Sequence, residues 1–271
     1  MEDRTGKKWS REETILAFEL YCRTPFSKIS KTNEDIINLA MLLGRSPSSV
    51  GLKMANLAHY DPEIRKKNLA GMSHGSKLDA EICMEFAGNW EMLSFEAEEI
   101  LARKKGVSLE KMLGIEEEFS DIPLGKYRNT KMKQRVGQYF FRTAILNSYA
   151  NRCCITGINE PKLLIASHIK PWKVSDEKTE RTNPRNGLCL NALHDKAFDK
   201  GLITLNNNYE IIISSQFKKA DMDQTTKDWF MMYDHKEIIR PDKFLPDRKF
   251  IEYHNDVIFQ KIGRASCRER V

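Results

Sequence analysis

The hydrophobic pattern of this chain changes period once, at Arg152, and that change limits the folds open to it. Before Arg152 apolar residues recur at helical spacing. After it they come in short runs broken by Gly, Pro and Asn, as in short strands. A pure helical bundle and an all-β sandwich are both excluded, which leaves an α+β chain with its helical part first.

The first third carries explicit helix signals. Ser10 followed by Glu13 forms a capping box, with Trp9 just outside and Ile15, Leu16, Phe18, Leu20 and Tyr21 as the apolar face behind it. Thr32 with Asp35 is expected to open a second helix through Ile36 to Leu43, ended by Gly44. Ser46 caps a third helix with Pro47 at its first position, where a missing N–H costs nothing, and Val50, Met54 and Leu57 face inward. The short Gly44-Arg45-Ser46 turn gives this pair a helix-turn-helix-like or Myb/SANT-like form. In that reading Ser48, Ser49, Lys53 and Asn56 lie on the outer face and Lys53 and Asn56 touch DNA. An ordinary helical bundle would show the same turn.

Charge locates a second candidate surface. The 271 residues carry a net charge of +6. Residues 124–152 contain seven basic side chains and no acidic one, whereas residues 1–123 are net acidic. A local basic run of this kind is a candidate phosphate-contacting element, although a solvated helix face would read the same way. From Lys131 a long amphipathic helix is expected to reach Ala150, with Val136, Tyr139, Phe140, Ile145, Leu146 and Tyr149 on its apolar side. At 41% hydrophobic the chain can bury a core. No apolar run approaches the roughly 20 residues of a membrane helix, and the first residues lack a signal peptide's apolar segment. Six cysteines form no disulfide framework, so the expected location is the cytoplasm of a prokaryotic-type cell.

Beyond Arg152, Cys153 to Thr156 and Leu163 to Ile169 are expected to form a hairpin, followed by a polar loop to Arg185. Asn186 to Leu190 leads into a helix from Ala192 to Asp199 that Gly201 ends, and Leu202 to Leu205 and Tyr209 to Ser214 make a closing hairpin. The motifs CCITG, ASHIKPW and NGLCLNALHDKAFDKGLITL, with RVGQYFFR upstream, stand here in order. GRSPSSVGLKMANLAHYDP and EYHNDVIF flank them. Together they resemble the HNH endonucleases of the ββα-metal superfamily, in particular a restriction-endonuclease branch.

The resemblance implies a ββα-metal HNH nuclease domain and metal-dependent hydrolysis of DNA phosphodiester bonds in a restriction or defence role. Such a reaction needs a base for the attacking water and a cation beside the developing charge. By resemblance His168 is the base, Asn186 holds the loop and orients the His168 ring, and His194 is a metal ligand. Asp199 is a further candidate ligand, although five residues from His194 is a poorer helical spacing than four. The cofactor implied is a divalent cation, most simply Mg²⁺. Where many members of the superfamily carry an Asp or His ligand just before the base, this chain has Ser167, a poor substitute for a carboxylate. No Cys-Xaa-Xaa-Cys pair is present, so no structural zinc is expected. Lys131, Lys133, Arg135, Gln138 and Arg142 are expected to meet the DNA backbone. A homodimer would supply the two cuts that duplex cleavage needs.

Two other functions fit the same residues. One is a non-catalytic DNA-binding regulator with a degenerate HNH fold, which Ser167 would suit. The other is an RNA-directed, toxin-like nuclease. The expected organisation is a helical DNA-recognition domain at 1–115, a linker at 116–130, an HNH domain at 131–261, and a non-native tail at 262–271, where IGRASCRERV resembles a sequencing-adapter translation.

Overall fold

The structure is a computed structural model that describes residues 3–60, 75–123 and 125–259; the ten-residue tail lies outside them. The chain divides into two units, residues 1–148 with 176–183 and residues 149–175 with 184–271.

The first unit is helical: α1 (Arg11–Arg23), α2 (Glu34–Leu43), α3 (Pro47–Ala58), α4 (Lys77–Glu85), α5 (Trp90–Lys105), the short α6 (Leu109–Leu113) and α7 (Glu116–Phe119), and the long α8 (Lys126–Ser148). Its centre is α1, buried at every residue from Glu13 to Cys22 because α2, α3, α4, α5 and α8 all pack on it. The capping box forms as expected, with the Ser10 N–H donating to Glu13 at 2.7 Å. Burying two carboxylates in such a helix requires fixed cations. Arg45 supplies one at 2.9 Å from Glu13, held by the carbonyls of Arg4, Lys7 and Lys8, and Arg23 supplies the other at 2.8 Å from Glu19.

Local signals were right in kind and sometimes off in register. Asn33, not Thr32, caps α2: its Oδ1 accepts from the amides of Asp35 and Ile36, while the Thr32 hydroxyl is engaged with Ser30. Gly44 ends α2 in the left-handed region, and Ser46 caps α3 with Pro47 inside it.

The expected DNA-reading face of α3 is corrected. Lys53 is only 6% exposed and its Nζ lies 2.6 Å from Asp79 on α4, an ammonium neutralised in the interior. The Asn56 side-chain oxygen is buried as well. Packing of α4 against α3 covers a face that the spacing alone marks as outer.

The stretch expected as a linker is folded. Arg128 donates to the carbonyls of Phe119 and Ile122 and pairs with Glu110 at 2.9 Å, which turns α7 back onto the start of α8. The domain boundary expected at 131 falls inside α8, whose buried face packs on α1 and α5 of the first unit. Gly137 lets the segment 176–183 approach α8, since a Cβ there would stand 2.7 Å from the Thr182 methyl. Tyr139, expected on the apolar side of this helix, is 55% exposed.

In the second unit the strand pairing differs from the expected hairpin. Cys153 to Gly157 forms a turn, closed by the Gly157 amide donating to the Cys153 carbonyl. The partner of β1 (Leu164–His168) is β2 (Gly187–Asn191), antiparallel, with Ser167 opposite Leu188 and His168 opposite Gly187. The Cys154 amide still docks on β2 through the Cys189 carbonyl at 2.7 Å, so the motif lies beside the sheet without extending it. Helix α9 (Ala192–Asp199) follows β2 directly, and β3 (Ile203–Leu205) and β4 (Ile211–Ile213) form the closing hairpin. Gly201 joins α9 to β3 at φ +66°; a Cβ there would lie 2.2 Å from the Ile258 carbonyl oxygen, so only glycine fits. Three further helices, α10 (Ser215–Lys218), α11 (Gln224–Met231) and α12 (Arg248–Tyr253), complete the unit.

Candidate active site

The ββα arrangement of β1, β2 and α9 brings a polar cluster to the junction of sheet and helix. Asn191 ends β2 and caps α9, its Oδ1 accepting from the amides of Leu193 and His194. That fixes the helix directly after the strand and sets which of its faces meets β1. Asp195 lies on that face, and the more exposed Asp199 stands one helical turn further on.

Asp195 lies beside Ser167 of β1. Burial raises the Asp195 pKa, and the Ser167 hydroxyl and Lys196 hold it down in part. Burial likewise raises that of Asp199, with the charge of Asp195 adding to it. Ser167 is 3% exposed, and its hydroxyl acts on the Asp195 carboxylate. Two carboxylates and a hydroxyl make an all-oxygen donor set, suited to a hard divalent ion such as Mg²⁺, which binds through one or two carboxylates and otherwise keeps water or phosphate. Among the described residues no group of three or more His, Cys, Asp or Glu side chains is gathered that could hold an ion.

His168 follows Ser167 at the end of β1, half-buried, with the Trp172 ring edge-on at 5.6 Å. Asn186 is fully buried and grips the chain beyond His168 at both edges of its amide. Its Oδ1 accepts from the Lys170 amide at 2.8 Å, and its Nδ2 donates to the Lys170 carbonyl at 3.1 Å. The Ile169 amide also donates to the Asn186 carbonyl at 3.0 Å.

His194 does not join the cluster. It is 1% exposed, with Nδ1 3.1 Å from Asn191 Oδ1 and Nε2 3.1 Å from the Trp229 carbonyl, and its ring packs on Phe230. Burial lowers its pKa, the bond to Trp229 acting against that. With both ring nitrogens engaged inside the protein, it is a packing residue here, and the metal-ligand expectation is corrected. The carboxylate that sequence reasoning passed over is its neighbour, Asp195. The available signal was its spacing of four from Asp199.

Lys131, Lys133, Arg135, Gln138 and Arg142 all stand on α8 in the first unit. Arg135 pairs with Glu118 at 2.6 Å, Lys133 lies over the Phe95 ring, and Gln138 and Arg142 are exposed. Cys153, Cys154 and Cys189 are buried, and burial pushes the Cys154 thiol up.

Residues 153–206 match the family model described as HNH endonuclease. The chain thus carries an HNH-type segment behind a helical region, where the motifs placed it. Among solved structures it is similar to a modification dependent TagI restriction endonuclease, at 17% identity and a TM-score of 0.26, over 42% of this chain and 35% of that one. No curated protein matches it. No helix among the described residues is long and apolar enough to cross a membrane.

Proposed function

We propose that this protein is a metal-dependent endonuclease that hydrolyses DNA phosphodiester bonds, in a restriction or defence role in the cytoplasm. The observation that carries the reading is Asp195 beside Ser167 with Asp199 one turn on, and His168 next to Ser167 in the chain, in an HNH-type segment.

Asp195 and Asp199, with the Ser167 hydroxyl, would hold a divalent cation, most simply Mg²⁺. When bound, that ion supplies positive charge to the phosphate and to the leaving oxygen. His168 accepts the proton of the attacking water at a ring nitrogen. Asn186, through its paired bonds to Lys170, fixes the chain that carries His168 and so positions the imidazole. The edge of Trp172 limits the ring's rotation. Lys131, Lys133, Arg135, Gln138 and Arg142 supply the basic approach to the DNA backbone, and a homodimer would cut both strands. Asp195 offers a carboxylate beside Ser167, which supports a catalytic over a degenerate site.

Incubation of supercoiled plasmid and of a structured RNA with the protein tests this reading. Mg²⁺ should support nicking or linearisation of the plasmid, EDTA should abolish it, and His168→Ala should lower the rate by about 10²–10⁴-fold. Cutting that survives EDTA, or full activity of the variant, would overturn the mechanism. Preference for the RNA would overturn the assignment to DNA.

A further inference from the structure

The first unit contains an open cleft of about 690 Å³ with a chemistry unlike that of the Asp195 cluster. One wall is a stripe of α8 on which Arg135, Gln138, Tyr139 and Arg142 stand at positions i, i+3, i+4 and i+7, and so share a face. Helix α5 contributes Glu98, Leu101 and Lys105, again at helical spacing, and Arg23 reaches in from the end of α1. Met112, Leu113 and Ile115 line the remainder with apolar surface.

Three features narrow the ligand. Cations surround the cleft, and two of them, Arg23 and Arg135, are held in place by Glu19 and Glu118. A guanidinium bound on one edge keeps other N–H groups for an anion. An aromatic ring stands in the same stripe as the arginines: Tyr139 is 55% exposed although neighbouring Phe140 and Phe141 are buried. Glu98 and Gln138 add hydrogen-bonding groups. Burial and the charge of Glu19 push the Glu98 carboxyl up to about 7, so near neutral pH it can donate as well as accept.

A simple anion would use the cations and leave the aromatic and aliphatic lining idle. An apolar ligand would use the lining and none of the charged groups. The convex backbone of a duplex presents phosphate but no exposed base face. A nucleotide combines a phosphate, a stackable base and a polar base edge, and the cleft lies within the size range of small-molecule sites.

We propose that this cleft binds a single nucleotide, its phosphate held by the Arg142 and Lys105 side of the site and its base stacked on Tyr139. The nucleotide is either a free nucleoside monophosphate or one unit of a single strand. Arg135, Gln138 and Arg142 of this cleft are also the residues assigned above to the DNA backbone, and binding here requires no hydrolysis.

The test uses the full chain carrying His168→Ala, in EDTA so that nothing is hydrolysed. Calorimetric titration is carried out with each nucleoside 5′-monophosphate, a short single-stranded oligonucleotide and inorganic phosphate. At least one nucleotide probe should bind with a Kd below about 1 mM, and Tyr139→Ala or Arg142→Gln should weaken it about tenfold or more. Both side chains are exposed, and circular dichroism checks that each variant is folded. Monophosphate binding supports a free ligand, and binding of the oligonucleotide alone supports a strand. Binding of inorganic phosphate as tight as that of any nucleotide overturns the proposal. So does the absence of nucleotide binding, or binding that neither variant weakens.

Discussion

Asn186 and Lys170 form a closed pair, in which the side-chain amide of one meets both backbone polar groups of the other, at 2.8 and 3.1 Å. Only an amide can do this, since the two contacts need one acceptor and one donor on a planar group. Asn186→Asp keeps the shape and the acceptor but turns a second oxygen toward the Lys170 carbonyl. Loss of a buried hydrogen bond with a polar group left unsatisfied costs roughly 1–3 kcal/mol, more where charge is buried. The variant should therefore unfold at lower urea concentration and cleave at least tenfold more slowly. Wild-type stability would show that the clamp contributes nothing.

Lys53 and Asp79 give a prediction that separates core from DNA contact. Lys53→Ala leaves the Asp79 carboxylate buried without its cation, for which roughly 3–5 kcal/mol of destabilisation is typical. Replacing both, as Lys53→Met with Asp79→Leu, removes both charges and should recover much of that loss, less the Ser76 capping bond that Asp79 also makes. Denaturant melts of the single and double variants check this. A Lys53→Ala protein of normal stability with altered DNA affinity would return Lys53 to the surface.

The parts of this fold legible in the sequence were those set by neighbours in the chain. The Ser10–Glu13 box, the Ser46 cap with Pro47, and the turn at Gly44 follow from contacts within a few residues. Whatever depended on distant pairing was not legible. Leu164–His168 has an apolar face that any nearby strand could satisfy, and nothing local says that its partner lies beyond the loop at Gly187–Asn191. The same long-range step hid Asp195. A charged residue on a helix usually faces water, and only the contact between α9 and β1 places this one against Ser167. His194 drew attention because histidine is a common ligand, yet the cap at Asn191 turns it into the core.

Asp195 and Asp199 predict a trade between stability and ion binding. Both carboxylates have raised pKa values through burial, so their ionised forms are disfavoured in the metal-free protein. Asp195→Asn should leave the protein in EDTA as stable as the wild type or more so. Mg²⁺ or Mn²⁺ should raise the melting temperature of the wild type, by the equivalent of about 2.7 kcal/mol at a hundred times Kd, and should not raise that of Asp195→Asn/Asp199→Asn. Equal metal-induced shifts in both proteins would place the ion elsewhere.

His254 makes the second unit sensitive to acid. The ring is 1% exposed, with Nδ1 2.8 Å from the Thr204 hydroxyl and Nε2 3.0 Å from the Phe198 carbonyl. Burial lowers its pKa from 6.5 to about 4, the bond to Phe198 acting in the opposite sense. The unfolded chain therefore takes up a proton at higher pH than the folded one. Its stabilising contribution is fully present above pH 6.5 and is lost as the pH falls toward 4. At about 1.4 kcal/mol for each pH unit the loss approaches roughly 3 kcal/mol, and His194, also depressed by burial, adds to it in the same direction. Urea midpoints measured between pH 7 and pH 4 should fall steeply in the wild type. In His254→Gln, which keeps a polar side chain without a titrating ring, the overall stability should be lower but the slope shallower. A variant with the wild-type slope would show that His254 is not the group taking up the proton.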